Sequence, residues 1–215
     1  MEKPIKLHLG CGTRYFEDYI NIDYPPTEHT VQKDLVADKF CNILELEYAK
    51  STVDEIRLHH VFEHFARPVT CALLTNWYLW LKVGGILDIE VPDFEKTAKV
   101  ALGRFTKPKQ KFVALRHIFG SHEAHWAVHY EGYSTKLMTE LLTTFGFKIK
   151  EYKKNEHNGT YNMEVIALKE DNSLTQADLI KISDKWLSNY MVDQAESEKL
   201  MHSIWMEEYK KIINR

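Results

Sequence analysis

Short apolar runs alternate with segments of helical period along most of the chain. Ile5 to Leu9 reads as a buried strand, Tyr19 to Asp23 as a second, and Thr30 to Leu35 as a weaker third. Asp54 to His60 is a fourth and Gly85 to Val91 a fifth. Between the last two, Leu73, Leu74, Trp77 and Leu81 fall on one helical face. Pro68 suits that helix's first turn, where its missing N–H is not needed, and Gly84-Gly85 would end it. Asp93 is a suitable N-cap for a helix over Phe94 to Leu102. A polar, basic loop follows from Gly103 to Lys111, and Arg116 to His129 has no assignable period. Ser134 caps a helix carrying Leu137, Leu141, Leu142 and Phe145, with Gly146 as its stop. Residues 147–153 and 161–169 read as an antiparallel pair. From Asp171 the texture changes to two amphipathic helices, about Thr175 to Met191 and Glu196 to Ile213.

Strands alternating with helices predict an α/β domain with a doubly wound, mostly parallel sheet, and the terminal pair gives it an antiparallel edge. The expected division is a catalytic-type domain over 1–170, with a helical insertion at about 94–130, and a C-terminal helical extension over 171–215.

Composition narrows this. With 44% hydrophobic and 27% charged residues, 215 residues can build a packed core. A net charge of -3 with mixed signs argues against a nucleic-acid binder, which would carry a basic stripe. Three widely spaced cysteines, without CxxC, argue against a disulfide framework or structural zinc. No signal-peptide core and no membrane span are seen, so a cytoplasmic protein is expected.

The candidate chemistry starts at "HLGCGT", His8 to Thr13, directly after the first strand. Gly10 and Gly12 would let the backbone approach a ligand closely. Asp23 ends the second strand, where an acid that grips a ribose belongs. A third glycine is missing, Tyr15 standing in its place, and there is no GK[ST]. The pattern suits a nucleoside without its phosphates.

These features, together with "NID", "HHVFEHF", "LKVGGILDIEVPD" and "HYEGYSTKLMTELLTTFGF", resemble the class I S-adenosylmethionine-dependent methyltransferases, in particular the small, type 11-like members. The resemblance runs from Lys6 to about Lys169 and implies a Rossmann-like seven-stranded sheet whose last strand is antiparallel. It implies S-adenosyl-L-methionine as cofactor. Gly10, Cys11 and Gly12 would offer backbone to its methionine and ribose part, Asp23 would bind the ribose hydroxyls, and Asp34 and Leu35 would flank the adenine. His59 and His60 would lie near the sulfonium. His8 stands where the family usually has an acid, and only a very short first helix fits between Gly12 and Asp23. Cys11 reads as a small filler.

Eleven histidines remain to be explained. On a helix, His122, His125 and His129 would share one face, with Glu123 and Glu131 nearby. They could wall an acceptor pocket, form a hydrogen-bonded patch, or hold a metal; HExxH is not present and no metal is assigned. His125, His129 and His60 are the candidate catalytic residues, with His125 or His129 preferred as a base, whereas His64 reads as structural. The expected activity is methyl transfer to a hydroxyl of a small molecule or sugar. A non-catalytic nucleoside binder and a metal-dependent hydrolase built on His122, Glu123, His125 and His129 are the alternatives. The C-terminal helices, with Trp186 and Trp205, could form a lid or a homodimer contact.

Overall fold

A computed structural model describes residues 3–214. Its centre is a seven-stranded sheet in the order β3-β2-β1-β4-β5-β7-β6. The strands are β1 (Lys6–Leu9), β2 (Ile20–Asp23), β3 (Lys39–Phe40), β4 (Val53–His59), β5 (Leu81–Pro92), β6 (Phe147–His157) and β7 (Thr160–Lys169). β7 runs antiparallel to both its neighbours, and the other pairings are parallel. This is the doubly wound sheet with one reversed strand that the alternating pattern predicts. One face of the inner strands forms the core, where Leu7, Leu9, Ile56, Leu58, Leu87 and Ile89 are fully covered; the opposite face carries His8, Arg57, His59 and Asp88.

Among the described residues there are also six α-helices, α1 (Arg67–Trp80), α2 (Phe94–Leu102), α3 (Pro108–Phe119), α4 (Thr135–Thr144), α5 (Gln176–Ser188) and α6 (Glu196–Ile213), and three short 3-10 turns. Asp93 caps α2 by accepting from the Lys96 N–H, and Ser134 caps α4 through the Leu137 N–H. Thr175 and Asp178 form a capping box on α5. α1 is buried almost all round, because α5 and α6 pack over the face that an amphipathic helix would leave to water. Trp77, Trp186, Leu187 and Tyr209 join one continuous core with the sheet. Trp186 is therefore covered within the chain, and Trp205 is half-covered.

Five expectations need correction. The third strand is not Thr30 to Leu35 but Lys39–Phe40; both its residues are exposed, so no apolar run marks it. No helix, however short, joins β1 to β2; residues 10–19 are turns. α1 ends at Trp80 with Leu81 already entering β5, so Gly84-Gly85 lie inside that strand and do not stop the helix. The basic "loop" contains the start of α3, whose first turn uses Pro108. Residues 120–134 form no helix, so His122, His125 and His129 share no helical face; His122 sits at φ +59° in an irregular segment held by a bridge between Gly120 and Val128. No helix among the described residues is long and apolar enough to cross a membrane.

Candidate active site

The C-terminal ends of β1, β2 and β4 converge on the turn Gly10–Gly12. The N–H groups of Gly10 and Cys11 both donate to the Ile22 carbonyl, 2.8 and 3.1 Å away, which folds the turn back over β2. Gly10 (φ +65°) and Gly12 (φ +55°) are left-handed. A Cβ on Gly10 would collide with the Val61 side chain, so glycine is required there by space as well as by backbone angle. Asp23 closes the turn. Its Oδ2 accepts from the Gly12 N–H at 2.6 Å, and its Oδ1 accepts from the Tyr24 N–H at 2.7 Å and faces His29 Nε2 at 3.0 Å. The carboxylate thus sets the loop and still has a free lone pair.

Two cavities open over this turn. One, about 370 Å³, has Gly10, Gly12 and Asp23 on its polar side and Ile43, Leu44 and Val69 on its apolar side. The other, about 320 Å³, lies over His8, Gly12, Thr13, Arg14 and His59. They share Gly10, Gly12, Gln32 and His60. The apolar wall comes from the end of the third strand, Cys41 to Leu44. Asp34 and Leu35 lie upstream of that strand and line neither cavity, whereas Ile43 and Leu44 form part of the apolar wall. Tyr24, His29, Gln32, Ile43 and Leu44 were not picked out from sequence: the first three lie in the irregular connection after β2, and the strand that precedes Ile43 and Leu44 has no pattern of its own.

His8 is buried, pairs through Nδ1 with Asn21 Oδ1 at 3.1 Å, and has its pKa lowered chiefly by burial. It is a neutral support under the turn rather than a substitute carboxylate. The Cys11 thiol is pushed up to about 12, by burial first and by Asp23 next, and so stays protonated. His59 belongs to a charged cluster along the sheet: its Nε2 lies 3.3 Å from Asp88 Oδ1, and Asp88 also pairs with Arg57.

A third, wider cavity of about 860 Å³ meets the first along His60, His64 and Trp126. Glu63, Glu90, His117 and His129 lie on its walls. His60 stands at the junction of all three cavities in a left-handed conformation (φ +56°), which a non-glycine residue holds only under constraint. The Glu90 carbonyl accepts its N–H at 2.9 Å. Its ring lies between two carboxylates, Nε2 3.2 Å from Glu90 and Nδ1 3.4 Å from Glu63. Desolvation opposes its charge, but the hydrogen bonds and charges of Glu63 and Glu90 prevail and raise its pKa to about 10. The same contact, with burial opposing, holds Glu90 down at about 2.

His129 is half-buried, with its pKa lowered chiefly by burial, and donates from Nδ1 to the His117 carbonyl at 3.1 Å. His125 is exposed on the wall of the first cavity. His122 and Glu123 are exposed, and neither belongs to any group of potential metal ligands among the described residues, so the hydrolase constellation does not assemble. His64, read from sequence as structural, lines two of the cavities. Residues Phe62–His64 form a single 3-10 turn that puts it there.

Solved structures share this arrangement. The fold matches that of an S-adenosylmethionine-dependent methyltransferase from Methanosarcina mazei (TM-score 0.52, 15% identity, covering 79% of this chain and 94% of that one). The fold is that of the class I S-adenosylmethionine-dependent methyltransferases. A Mesorhizobium loti S-adenosylmethionine-dependent methyltransferase matches with a TM-score of 0.51 and 14% identity, covering 76% of this chain and 90% of that one. A chain from the Haloferax volcanii complex between the Trm112 methyltransferase activator and a protein described as a methyltransferase matches at 0.57 and 14%, covering 81% and 85%. No family model matches the chain, and no curated protein matches it in sequence. On this methyltransferase fold, the glycine turn and Asp23 occupy the switch-point crevice beyond the strand ends, where open α/β sheets bind ligands.

Proposed function

We propose that the protein is a methyltransferase that uses S-adenosyl-L-methionine to methylate a hydroxyl of a small molecule or sugar. The observation that carries this reading is the junction at His60. A cavity with a carboxylate floor and an apolar wall, suited to a nucleoside, opens there into a wide polar cavity suited to a hydroxylated acceptor. The residues fit the cofactor. Asp23 would hold the ribose, Ile43 and Leu44 would flank the adenine, and the Gly10–Gly12 turn would admit the chain to the methionine side, where Arg14 can meet its carboxylate.

When bound, S-adenosylmethionine supplies an activated methyl group, so that the acceptor's oxygen–carbon bond forms as the sulfur–carbon bond breaks and S-adenosylhomocysteine leaves. The chain's task is to align the acceptor and exclude water. Both ring nitrogens of His60 face carboxylates, so His60 is a positioning residue and has no lone pair free for the acceptor. His125 lines the cofactor cavity next to Trp126, where that cavity meets the wide one, and takes the proton of a hydroxyl held at this junction. Trp126, whose indole N–H donates to the Glu28 carbonyl at 2.9 Å, offers a flat face where the two cavities meet. Three free thiols, Cys11, Cys41 and Cys71, fit a reducing cytoplasm.

Calorimetric titration tests the reading. S-adenosylmethionine and S-adenosylhomocysteine should bind in the micromolar range and NAD should not; no binding by either of the first two would overturn it. Once an acceptor is found by screening, His125→Ala should lower kcat by about 100-fold, the low end of general-base effects, with cofactor affinity kept. A kcat within a few-fold of the parent protein would take the proton-acceptor role away from His125.

A further inference from the structure

Glu63 is the one carboxylate at the site whose environment the methyltransferase reading leaves unexplained. Its side chain is 1% exposed, yet neither oxygen accepts a well-formed hydrogen bond. The nearest nitrogens are His60 Nδ1 at 3.4 Å and His129 Nε2 at 4.0 Å. The His60 imidazolium is its one close cationic neighbour and is shared with Glu90, and an anion buried this deeply with neither oxygen well hydrogen-bonded has room for a second cation.

Two imidazoles flank it in a specific attitude. His64 Nδ1 lies 3.1 Å from the Val128 carbonyl, and His129 Nδ1 lies 3.1 Å from the His117 carbonyl. A carbonyl only accepts, so each Nδ1 carries the proton. In the neutral ring the lone pair then belongs to Nε2. Imidazoles that bind metals are oriented in this way, by a backbone carbonyl behind the ring. One ligand atom from each of Glu63, His64 and His129 lies within 4.8 Å of the others.

We propose that Glu63, His64 and His129 form a binding site for one divalent first-row transition-metal ion. Two imidazoles and one carboxylate favour zinc, cobalt, iron or manganese over calcium and magnesium, which prefer all-oxygen shells. The backbone brings the ligands together. The Tyr130 N–H donates to the Glu63 carbonyl at 2.8 Å, stitching the irregular segment that carries His129 to the turn that carries Glu63 and His64. Closing the three groups around an ion needs side-chain movements of about an ångström, since such ligands stand roughly 2.0–2.2 Å from the metal. Three protein ligands leave coordination positions open to the wide cavity. There the ion would hold the acceptor hydroxyl and make it more acidic, its proton passing to His125. That role rests on the methyltransferase reading; the binding of the ion does not. The site differs from the four-residue cluster considered from sequence, sharing only His129 with it.

The test uses the full chain, stripped with a chelator and titrated with zinc by calorimetry, and with cobalt by visible absorption. One equivalent should bind at micromolar or tighter affinity, and bound cobalt should show the d–d bands of a low-coordinate site. His64→Gln and His129→Gln should each weaken zinc binding at least about 10-fold and abolish the cobalt bands. Glu63→Gln should do the same; because Glu63 is buried and could be needed for folding, the variants of the two cavity-lining histidines carry the test if it melts early. His122→Gln should bind like the parent chain. No saturable binding, or binding untouched by all three ligand variants, overturns the proposal and leaves Glu63 paired with His60 alone. Zinc binding without S-adenosylmethionine binding would keep the site and remove the methyltransferase reading; the reverse result would do the opposite.

Discussion

Asp23→Ala is expected to weaken S-adenosylmethionine binding by about 100-fold or more, which is the largest effect of any single substitution at the site. Two losses combine. The ribose loses a hydrogen bond to a charged acceptor, which contributes about 1.5–3 kcal/mol, or one to two decades of affinity. The glycine turn loses the carboxylate that holds the Gly12 and Tyr24 N–H groups at 2.6 and 2.7 Å. Asparagine should not rescue the site. Whichever way its amide is turned, the NH2 group meets one of those two backbone donors, and a donor facing a donor is worse than an empty space. The control is His29→Gln. It removes the imidazole from Asp23 Oδ1 but keeps the carboxylate, so affinity should stay within several-fold of the parent. Calorimetry on variants shown to be folded by their melting curves decides the matter. A folded Asp23→Ala that binds the cofactor normally would mean that Asp23 only shapes the turn. An equal loss in His29→Gln would mean that the ring, not the carboxylate, carries the binding.

How much of this could be read in the chain depends on where each residue's constraint comes from. Asp93, Ser134 and Thr175 announce helix starts because a cap is a local hydrogen bond, made within three residues of itself. β1, β4 and β5 announce themselves because one face of each packs into the core, which puts an apolar residue at every second position: Leu7 and Leu9, Ile56 and Leu58, Leu87 and Ile89. The short edge strand Lys39–Phe40 has neither signal, since its residues are exposed and it pairs on only one side. The third strand was placed at Thr30 to Leu35 for that reason, and Ile43 and Leu44, which follow it and wall the first cavity, went unremarked. α3 buries only Ala114, so no apolar stripe marks it, and Pro108 was the sole clue to its start. The histidines show the limit most clearly. Their number was visible, but the segment carrying them has no period of its own, and only a helix over it would group His122, His125 and His129. In the fold a left-handed His122 breaks that grouping, and His129 instead meets Glu63 and His64, which lie on a turn far earlier in the chain. Long-range convergence of this kind leaves no local pattern.

The second large effect concerns stability and the meaning of the C-terminal helices. Tyr209 on α6 is fully buried, and its hydroxyl meets Thr75 Oγ1 of α1 at 3.0 Å. Its ring fills the seam between α6 and the helix that lies directly on the sheet. Tyr209→Ala should therefore lower unfolding stability by about 3–5 kcal/mol, the usual cost of removing a buried aromatic ring. Tyr209→Phe keeps the ring and leaves only the Thr75 hydroxyl without a partner, at about 1 kcal/mol. Urea unfolding followed by fluorescence and by circular dichroism measures both. The shape of the transition matters as much as its midpoint. Because Trp186, Met206, Tyr209 and Ile213 share one core with Trp77 and the sheet, both probes should report a single transition, shifted as a whole in the variants. If Tyr209→Ala instead melts α5 and α6 first and leaves the sheet intact, residues 171–215 are a separable extension, as the change of texture at Asp171 suggests. In that case α1, apolar on the face those helices leave, would be the surface that any replacement partner must cover.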